Sequence, residues 1–445
     1  MTDREAAVRR AAELMDEHGV HTVEAIFPDT WGILRGKRLP ASQFAKKTES
    51  GLNIANAAFI WDPLCGIFEV EFSNAETGYP DMVATPDPAT FRTLPWREGT
   101  AVAMMDCTEK DGSPVALDPR HIVRTAVDRL AQLGYTATIA TELEFYLCDE
   151  SWQPLHSEVQ CYGITKGAEL EPILSDIRRK VEAFGIVVEA CNSEYGPSQI
   201  EINLKYGDPL QVADDTALFK SAVKEIARQH GVRATFMSKP FPGFSGNGTH
   251  LHISLRDAEG SNAFAPRTLD DPFFTNALMQ RCVGGLLHHQ LELAAIGSPT
   301  INGYKRFEDY SFAPTYLNWG GDNRGVAIRC VVDEGPATRI EVRTGSADAN
   351  PYLLIGAQLA AVCDALENEY PLPPVCTGNG YAPQDLPMMP RTLQDGIDLM
   401  REGRLLREYF GDVFVTNTLE LLQHEVDEFN VQVTEWEKNR YMEVS

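Results

Sequence analysis

The sequence predicts an α+β fold in which a curved sheet surrounds a polar cavity and packs against helices on its other side. Segments in which aliphatic and polar residues alternate recur along the chain, and a period of two is typical of strands. In 245–255, a glycine-rich loop leads into His250, His252 and Ser254, which alternate with aliphatic residues. Three further segments repeat this pattern with Glu, Asn or Arg on the polar side, at 141–145, 199–204 and 339–343. Such strands fit one sheet with an aliphatic back and a polar front.

The polar front is rich in carboxylates. Like charges a few ångströms apart raise each other's pKa and favour either neutralisation or a bound cation. Oxygen ligands suit Mg²⁺ or Mn²⁺ far better than zinc or copper. The candidate metal ligands are Glu142, Glu144, Glu194, Glu201, Glu341 and His250. The alternatives are a solvated pair for Glu194 and Glu201, a core hydrogen bond for His252, and surface salt bridges for Arg329 and Arg339.

Composition excludes several classes of partner. The chain has 445 residues, of which 43% are hydrophobic and 23% charged, which is enough for two domains. A net charge of -25 argues against binding to nucleic acid or to an anionic membrane, since either needs a basic surface. The first residues, MTDRE, are unlike a signal peptide, and the nine cysteines include no Cys-x-x-Cys pair. Reduced thiols and a cytoplasmic location are expected.

The first part of the chain reads as a small β-rich domain, residues 1–110. A helix is predicted over 3–18, capped by Thr2 or Asp3 and ended by Gly19. Strands are predicted at 22–27 and 34–39. A turn at 111–114 and a helix start at 118–119 then mark a new unit, so the domain boundary is placed near residue 110.

The second unit, residues 111–445, alternates strand-like and helix-like segments. Helices are predicted near 119–133, 170–184, 212–230, 272–296, 350–369 and 417–439. The segment 371–390 contains six prolines and is the evident long loop. Its low charge favours an ordered surface segment over a disordered linker.

A series of motifs makes the chain resemble the glutamine synthetase family over almost its whole length. The motifs are Glu-Leu-Glu-Phe at 142–145, Glu194 with Glu201, the stretch 239–255, Asn-Gly-Tyr-Lys-Arg at 302–306, Asn-Arg at 323–324, Arg-Ile-Glu-Val-Arg at 339–343 and Asn-Pro-Tyr-Leu at 350–353. Each motif is modest evidence, whereas their joint order is specific. The resemblance implies an N-terminal β-grasp domain followed by a catalytic domain whose curved antiparallel sheet is backed by helices.

The resemblance also implies a role for each site residue. One divalent ion would be held by Glu144, Glu194 and Glu201, and a second by Glu142, His250 and Glu341, giving two or more Mg²⁺ or Mn²⁺ ions per site. The implied ATP-binding residues are Glu189, His252, Ser254, Arg329 and Arg339. The implied glutamate-binding residues are Gly246, Arg306 and Arg343, and the implied catalytic residues are Arg324, Asp62 and Arg306.

The implied activity is ATP-dependent ligation of glutamate to an amine through γ-glutamyl phosphate. The acceptor side departs from the family pattern, because Phe312 stands where glutamine synthetases carry a Glu before Ala-Pro. Phe312 and Asp62 are the predicted amine pocket, and a small primary amine such as methylamine or ethanolamine is favoured. The alternatives are a γ-glutamylpolyamine synthetase, a glutamine synthetase that uses ammonium, and a non-enzymatic family member.

Assembly and regulation are predicted from the same resemblance. Asp62 and Asp81 lie at positions that reach the neighbouring subunit's site in the family, so we expect a homo-oligomer, most simply two stacked hexameric rings with active sites between subunits. Gln384 replaces the tyrosine that some family members adenylylate, so that form of control is not expected.

Overall fold

The strands form two sheets in a computed structural model that describes residues 2–265, 276–333, 337–382 and 385–444. In chain order the strands are β1 (Thr22–Pro28), β2 (Leu34–Pro40), β3 (Leu52–Ala55), β4 (Asp81–Pro86), β5 (Arg92–Thr93), β6 (Thr100–Thr108), β7 (Thr136–Cys148), β8 (Val188–Ser193), β9 (Gln199–Leu204), β10 (Arg233–Thr235), β11 (Thr249–Arg256), β12 (Trp319–Gly321), β13 (Ile328–Val331) and β14 (Arg339–Val342).

Helices connect and cover these strands. They are α1 (Asp3–Glu17), α2 (Phe44–Ser50), α3 (Pro119–Gln132), α4 (Ile164–Gly167), α5 (Glu171–Ala183), α6 (Pro209–Gln229), α7 (Ala277–His289), α8 (Ala294–Gly297), α9 (Pro351–Glu367), α10 (Leu393–Glu402), α11 (Leu405–Asn430) and α12 (Glu435–Tyr441). None of the helices in the described ranges is long and apolar enough to cross a membrane.

Two of the predicted helices need correction. The helix predicted over 417–439 lies in α11, which consists of two helical segments joined at Gly411, whose φ of 84° and ψ of 164° are not helical; the second segment stops at Asn430. Helix α12 then starts anew because Thr434 forms a capping box with Glu437. The helix predicted over 272–296 is divided into α7 and α8, and its first residues, 272–275, lie outside the described residues. Helix α10 was not predicted.

The N-terminal sheet has the strand order β2-β1-β6-β4-β3, with β5 also paired to β6. Its β1–β6 pair is parallel and its other pairs are antiparallel. The predicted first helix is confirmed as α1, which starts with a Thr2–Glu5 capping box and is followed by Gly19 at a φ of 59°. The division of the chain near residue 110, between the end of β6 and the start of α3, stays a prediction.

The second sheet has the order β12-β13-β14-β11-β7-β9-β8, with β10 also paired to β7. The four strands predicted from the alternating pattern are the adjacent central strands β14, β11, β7 and β9, which confirms one shared sheet. All pairs are antiparallel except β12–β13 at the edge, so the predicted antiparallel sheet is confirmed apart from this one pair.

The aliphatic back of this sheet packs on helices. Leu143, Leu251 and Ile340 belong to the large buried core, and α3 and α6 contact β7 directly. Behind them, α9 is buried along most of its length between α3 and α7. The sheet therefore has one dry face and one polar face, as the alternation predicts.

The proline-rich segment 371–390 is an ordered surface loop where it is described. Its backbone is tied to the body at several points: Cys376 donates to the Trp319 carbonyl at 2.8 Å, and Met389 donates to the Thr315 carbonyl at 3.0 Å. Residues 383–384 lie outside the described residues, so the expectation concerning Gln384 stays a prediction.

Candidate active site

Strand register brings the predicted polar side chains onto one face of the sheet. Glu142 on β7 lies opposite His250 on β11 and opposite Asn203 on β9. Two residues further along β7, Glu144 lies opposite Glu201 on β9. Because the side-chain period of a strand is two, these residues all point to the same side.

Glu142, Glu144, Glu194, Glu201 and His250 form what we call the acid-rich half of the site. His250 Nδ1 lies 2.7 Å from Oε1 of Glu142, whose other oxygen accepts from Asn203 at 2.8 Å. Glu144 accepts from the backbone N–H of Gly248 at 2.6 Å. Glu194, just after β8, accepts from the side chain of Asn192 at 3.0 Å.

These carboxylates raise one another's pKa. Burial, and next the charge of Glu194, raise the pKa of Glu144 to about 8. Burial together with Glu142 and Glu144 raises the pKa of Glu201. Although burial opposes it, hydrogen bonding to His250 and His252 holds the pKa of Glu142 below its ordinary value. A cation bound here would relieve this repulsion.

The donor set fits a divalent metal ion. Ligand atoms of Glu142, Glu201 and His250 all lie within 4.8 Å of one another. Burial and the nearby Arg343 lower the pKa of His250, which favours the neutral imidazole that a metal requires. Two carboxylates and one imidazole suit Mg²⁺ or Mn²⁺. This close trio combines members of both predicted ligand sets, so the division of ligands between two ions stays a prediction.

Arg306, Arg329, Glu341 and Arg343 form what we call the arginine-rich half. The Glu341 side chain is only 1% exposed, accepts from Arg329 at 2.7 Å and also accepts from Arg343. Although burial opposes it, Arg343 and then His250 lower the pKa of Glu341 to about 2. Both oxygens of this predicted metal ligand are therefore paired with arginines, and its role as a ligand stays a prediction.

Arg306 reaches the same region from the short helical turn 303–306. It is buried, donates to the carbonyls of Thr344 and Gly345 at 2.8 Å each, and keeps its Nε without a partner. Burial lowers the pKa of Arg306 to about 10. An unpaired buried donor of this kind suits an anionic ligand such as a carboxylate.

A cavity of about 210 Å³ lies between the two halves. It is lined by Glu142, Glu144, Cys161, Tyr162, Glu194, Tyr195, Glu201, Ser245, Gly246, His250, Arg306, Ser311, Phe312, Ala313, Arg324 and Arg343. Gly246 is required in this wall because a Cβ there would approach the Ser238 carbonyl oxygen to 2.6 Å. The predicted glutamate-binding residues and most predicted metal ligands thus share one cavity with Phe312 and Arg324.

A second cavity, of about 410 Å³, lies along the same sheet face. Its lining includes the predicted ATP-binding residues Glu189, His252, Ser254 and Arg339, whereas Arg329 does not line it. Arg339 Nε donates to His252 Nδ1 at 3.1 Å, so Nε2 of His252 carries the proton and faces Glu142 at 3.6 Å. Glu142 lines both cavities, so the two cavities are neighbours.

Asp62 does not join this constellation within one chain. Its carboxylate accepts from the backbone N–H groups of Leu64 at 2.8 Å and Gly66 at 2.6 Å, and lies 3.9 Å from His424 on α11. It lines neither cavity. The predicted pairing of Asp62 with Phe312 is therefore not formed inside the chain, and a role in a neighbouring subunit stays a prediction.

Sequence reasoning missed some residues of the site. Asn203 follows Glu201 by two positions, so the strand period already placed it on the polar face. Tyr162, Tyr195 and Cys161 line the first cavity from loops. The position of a loop side chain carries no periodic signal, and only Tyr195, which directly follows Glu194, had a neighbour that pointed to the site.

Comparison with known proteins gives the same picture. The family described as "Glutamine synthetase, catalytic domain" matches residues 116–441. Over 452 residues the chain is 34% identical to a glutamate–isopropylamine ligase of Pseudomonas sp, covering 98% of both chains. It is 36% identical over 437 residues to the γ-glutamylethanolamide synthetase GlnA4 of Streptomyces coelicolor, covering 95% of this chain and 93% of that one.

A solved structure agrees in fold. The GmaS–ADP complex superimposes with a TM-score of 0.87 at 27% identity, covering 99% of this chain and 100% of that one. The motif order, the carboxylate-lined cavity and these similarities have a single explanation: the chain belongs to the glutamine synthetase family.

Proposed function

We propose that this ATP-dependent carbon–nitrogen ligase joins the γ-carboxylate of glutamate to a small primary amine, yielding a γ-glutamylamide, ADP and phosphate. The observation that carries the choice of an amine is the wall of the first cavity. Phe312 and Tyr195 present aromatic rings to a space that several carboxylates and arginines also line. Two similar proteins named above are an isopropylamine ligase and a γ-glutamylethanolamide synthetase, which supports acceptors that carry carbon.

The chemistry proceeds in two steps. An oxygen of the glutamate γ-carboxylate attacks the γ-phosphorus of ATP, forming an acyl phosphate as the bond to ADP breaks. The amine nitrogen then attacks the acyl carbon, phosphate leaves, and the nitrogen loses its proton. The phosphorylation is needed because a carboxylate is a poor electrophile.

The residues of the two cavities divide this work. Arg306 and Arg343 orient the carboxylates of glutamate, while Arg339 with His252 and Ser254 holds the nucleotide. Mg²⁺ or Mn²⁺ held by the acid-rich half would neutralise charge on the phosphates. Phe312 limits the access of water to the acyl phosphate. Arg324, exposed at the cavity, supplies positive charge to the transferring phosphate.

The aromatic lining of the first cavity favours short monoamines over ammonium and polyamines as acceptors. Phe312 can neither bind a small cation by charge nor accept its proton, which disfavours ammonium. A buried methylene gains about 0.8 kcal/mol, so an alkyl chain benefits from an aromatic wall. A polyamine would need acids spaced along its channel. Methylamine and ethanolamine are therefore favoured over putrescine, and more strongly over ammonium.

The test is kcat/KM for ammonium, methylamine, ethanolamine, isopropylamine and putrescine at fixed glutamate and ATP. We expect a small monoamine to have the highest value. Phe312→Glu should shift the ratio toward ammonium, by about tenfold, because it restores a carboxylate at the acceptor wall. If ammonium is the best substrate of the unmodified enzyme, the argument from Phe312 is wrong. If no acceptor supports turnover, the chain is a non-enzymatic member.

We also propose a cytoplasmic homo-oligomer, most simply two stacked hexameric rings. Support comes from Asp62, which lies on the N-terminal part of the chain and away from both cavities of its own subunit. A site that needs Asp62 from a neighbour is incomplete in a lone chain. Light scattering coupled to an activity assay tests this, and an active monomer would contradict it. Cell fractionation tests the location.

A further inference from the structure

We infer that Tyr195 is a specificity-determining residue whose ring forms, with the ring of Phe312, an apolar clamp for the carbon chain of the acceptor amine. The pair Tyr195 and Phe312 is called the aromatic clamp below. The inference rests on the proposed function and adds to it a residue and a substrate class: primary monoamines with one to three carbons.

The first argument is the contact between the two rings at the cavity. Their centroids are 5.2 Å apart with planes inclined by 39°, and both side chains line the cavity. Tyr195 is 52% exposed and Phe312 is 43% exposed. Aromatic surface left open beside a cluster of carboxylates gains stability when an apolar group covers it.

The second argument is that the position of Tyr195 is defined by its neighbours. Its backbone N–H donates to Glu194 at 3.2 Å, which ties it to the acid-rich half. On the other side, a Cβ at Gly196 would come within 1.8 Å of the Tyr146 hydroxyl, so the backbone packs directly on that ring. The Tyr146 hydroxyl in turn donates to the Ser245 carbonyl at 2.7 Å, in the glycine loop of the site.

The position of Phe312 is also fixed by its surroundings. Its backbone has a φ of 61°, which costs energy for a residue with a side chain and persists only where the surroundings impose it. Arg343 donates to the Phe312 carbonyl at 3.4 Å, and the Ser311 hydroxyl donates to the Glu308 carbonyl at 2.6 Å. The loop therefore presents this ring to Tyr195 from the arginine-rich half.

The clamp joins charge and apolar surface in one subsite. A primary amine arrives as an ammonium ion, and the carboxylates around Glu194 attract it. Because Tyr195 directly follows Glu194, a chain lying against the exposed surfaces of the two contacting rings keeps its nitrogen close to those carboxylates. The cavity measures about 210 Å³ and must also hold the reacting end of glutamate, which restricts the chain to a few carbons.

The experiment measures kcat/KM for methylamine, ethylamine and propylamine, with hydroxylamine as an acceptor that lacks a carbon chain. At about 0.8 kcal/mol for each buried methylene, the unmodified enzyme should gain about fourfold per added carbon. Tyr195→Ala should reduce this gain to less than about twofold, and because the gain is a ratio of kcat/KM values between successive amines, a uniform loss of activity does not affect it. Tyr195→Phe keeps the ring and should keep the chain-length dependence.

Tyr310→Ala is the matched control. Tyr310 is an exposed aromatic residue on the Phe312 loop, but its ring packs on Tyr381 at 5.2 Å and does not line the cavity. It should leave the chain-length dependence unchanged. Equal loss in Tyr310→Ala and Tyr195→Ala would overturn the clamp, since loop disturbance would then explain both.

The remaining outcomes separate the clamp from the proposed function. If the unmodified enzyme forms γ-glutamyl hydroxamate but Tyr195→Ala retains the full gain per carbon, the clamp is wrong and the ligase activity stands. A flat dependence in Tyr195→Phe would also overturn it, because the hydroxyl and not the ring would then matter. Failure to form a product with any of the tested amines would refute the proposed function itself.

Discussion

Glu201 and Glu341 are both glutamates on the same sheet, and their surroundings shift their pKa values in opposite directions. Both are largely buried, with 9% and 1% of their surface exposed. Glu201 faces Glu142 and Glu144, which raise its pKa further than burial alone, whereas Arg343 and Arg329 help to lower the pKa of Glu341. Burial alone therefore does not decide the charge of a carboxyl group. The acid-rich half needs an external cation, and the arginine-rich half contains its own.

The largest effect should come from removing the charge of Glu341. Glu341→Gln leaves the buried Arg343 beside a neutral group, whereas Arg329 keeps its ion pair with Asp322, and breaking a buried pair costs about 3–5 kcal/mol. Urea unfolding in EDTA measures this loss. Glu13→Gln, which removes an exposed ion pair with Arg9, is the control and should change stability little. A loss of stability as small as that of the control would mean that the charge of Glu341 is not needed to balance the arginines beside it.

Activity tests the acid-rich half. Glu201→Ala and His250→Ala should each lower glutamate-dependent ATP turnover by more than about 100-fold, because each removes a donor from the metal site. Isothermal titration should show weaker Mn²⁺ binding in both variants, with circular dichroism confirming that they remain folded. Full activity in both would refute the metal assignment.

The smallest expected effect, that of Glu201→Gln, is the most specific test of the difference between the acid-rich and arginine-rich halves. In EDTA, Glu201→Gln should stabilise the protein by up to about 1 kcal/mol, because the amide keeps the shape of the side chain and ends the repulsion from Glu142 and Glu144. Saturating Mn²⁺ should reverse this order, since the variant has lost a ligand. The measurement is the urea midpoint in the two buffers. Destabilisation in EDTA comparable to that of Glu341→Gln would remove the distinction between the two halves.

The sheet and its polar face were predictable because they depend on local periodicity. His250, His252 and Ser254 alternate with aliphatic residues, and a strand with one buried face permits one orientation only. Helix starts that have a capping side chain were equally predictable, as at Thr2 and Asp118. The extent of α11 was not, because its apolar residues pack on other helices and the signal that ends it lies in the capping box at Thr434.

The sequence indicated many of the residues that line the first cavity, but few of the contacts between them. The family motifs identified the carboxylates and arginines, and the structure brings most of them to one cavity. It also pairs Glu341 with Arg329 and places Asp62 beside His424, and neither contact has a sequence signal. Such contacts join positions far apart in the chain, so they depend on how the loops and sheets pack.

By itself, the sequence determined which residues share a strand face and which chemical groups are available, since these follow from a period of two and from side-chain identity. Only the tertiary structure decided which charges are neighbours, that Glu142 lines two cavities, and that Tyr195 meets Phe312. The physical reason is that electrostatic and ring contacts depend on distances of a few ångströms between segments whose separation the chain order does not specify.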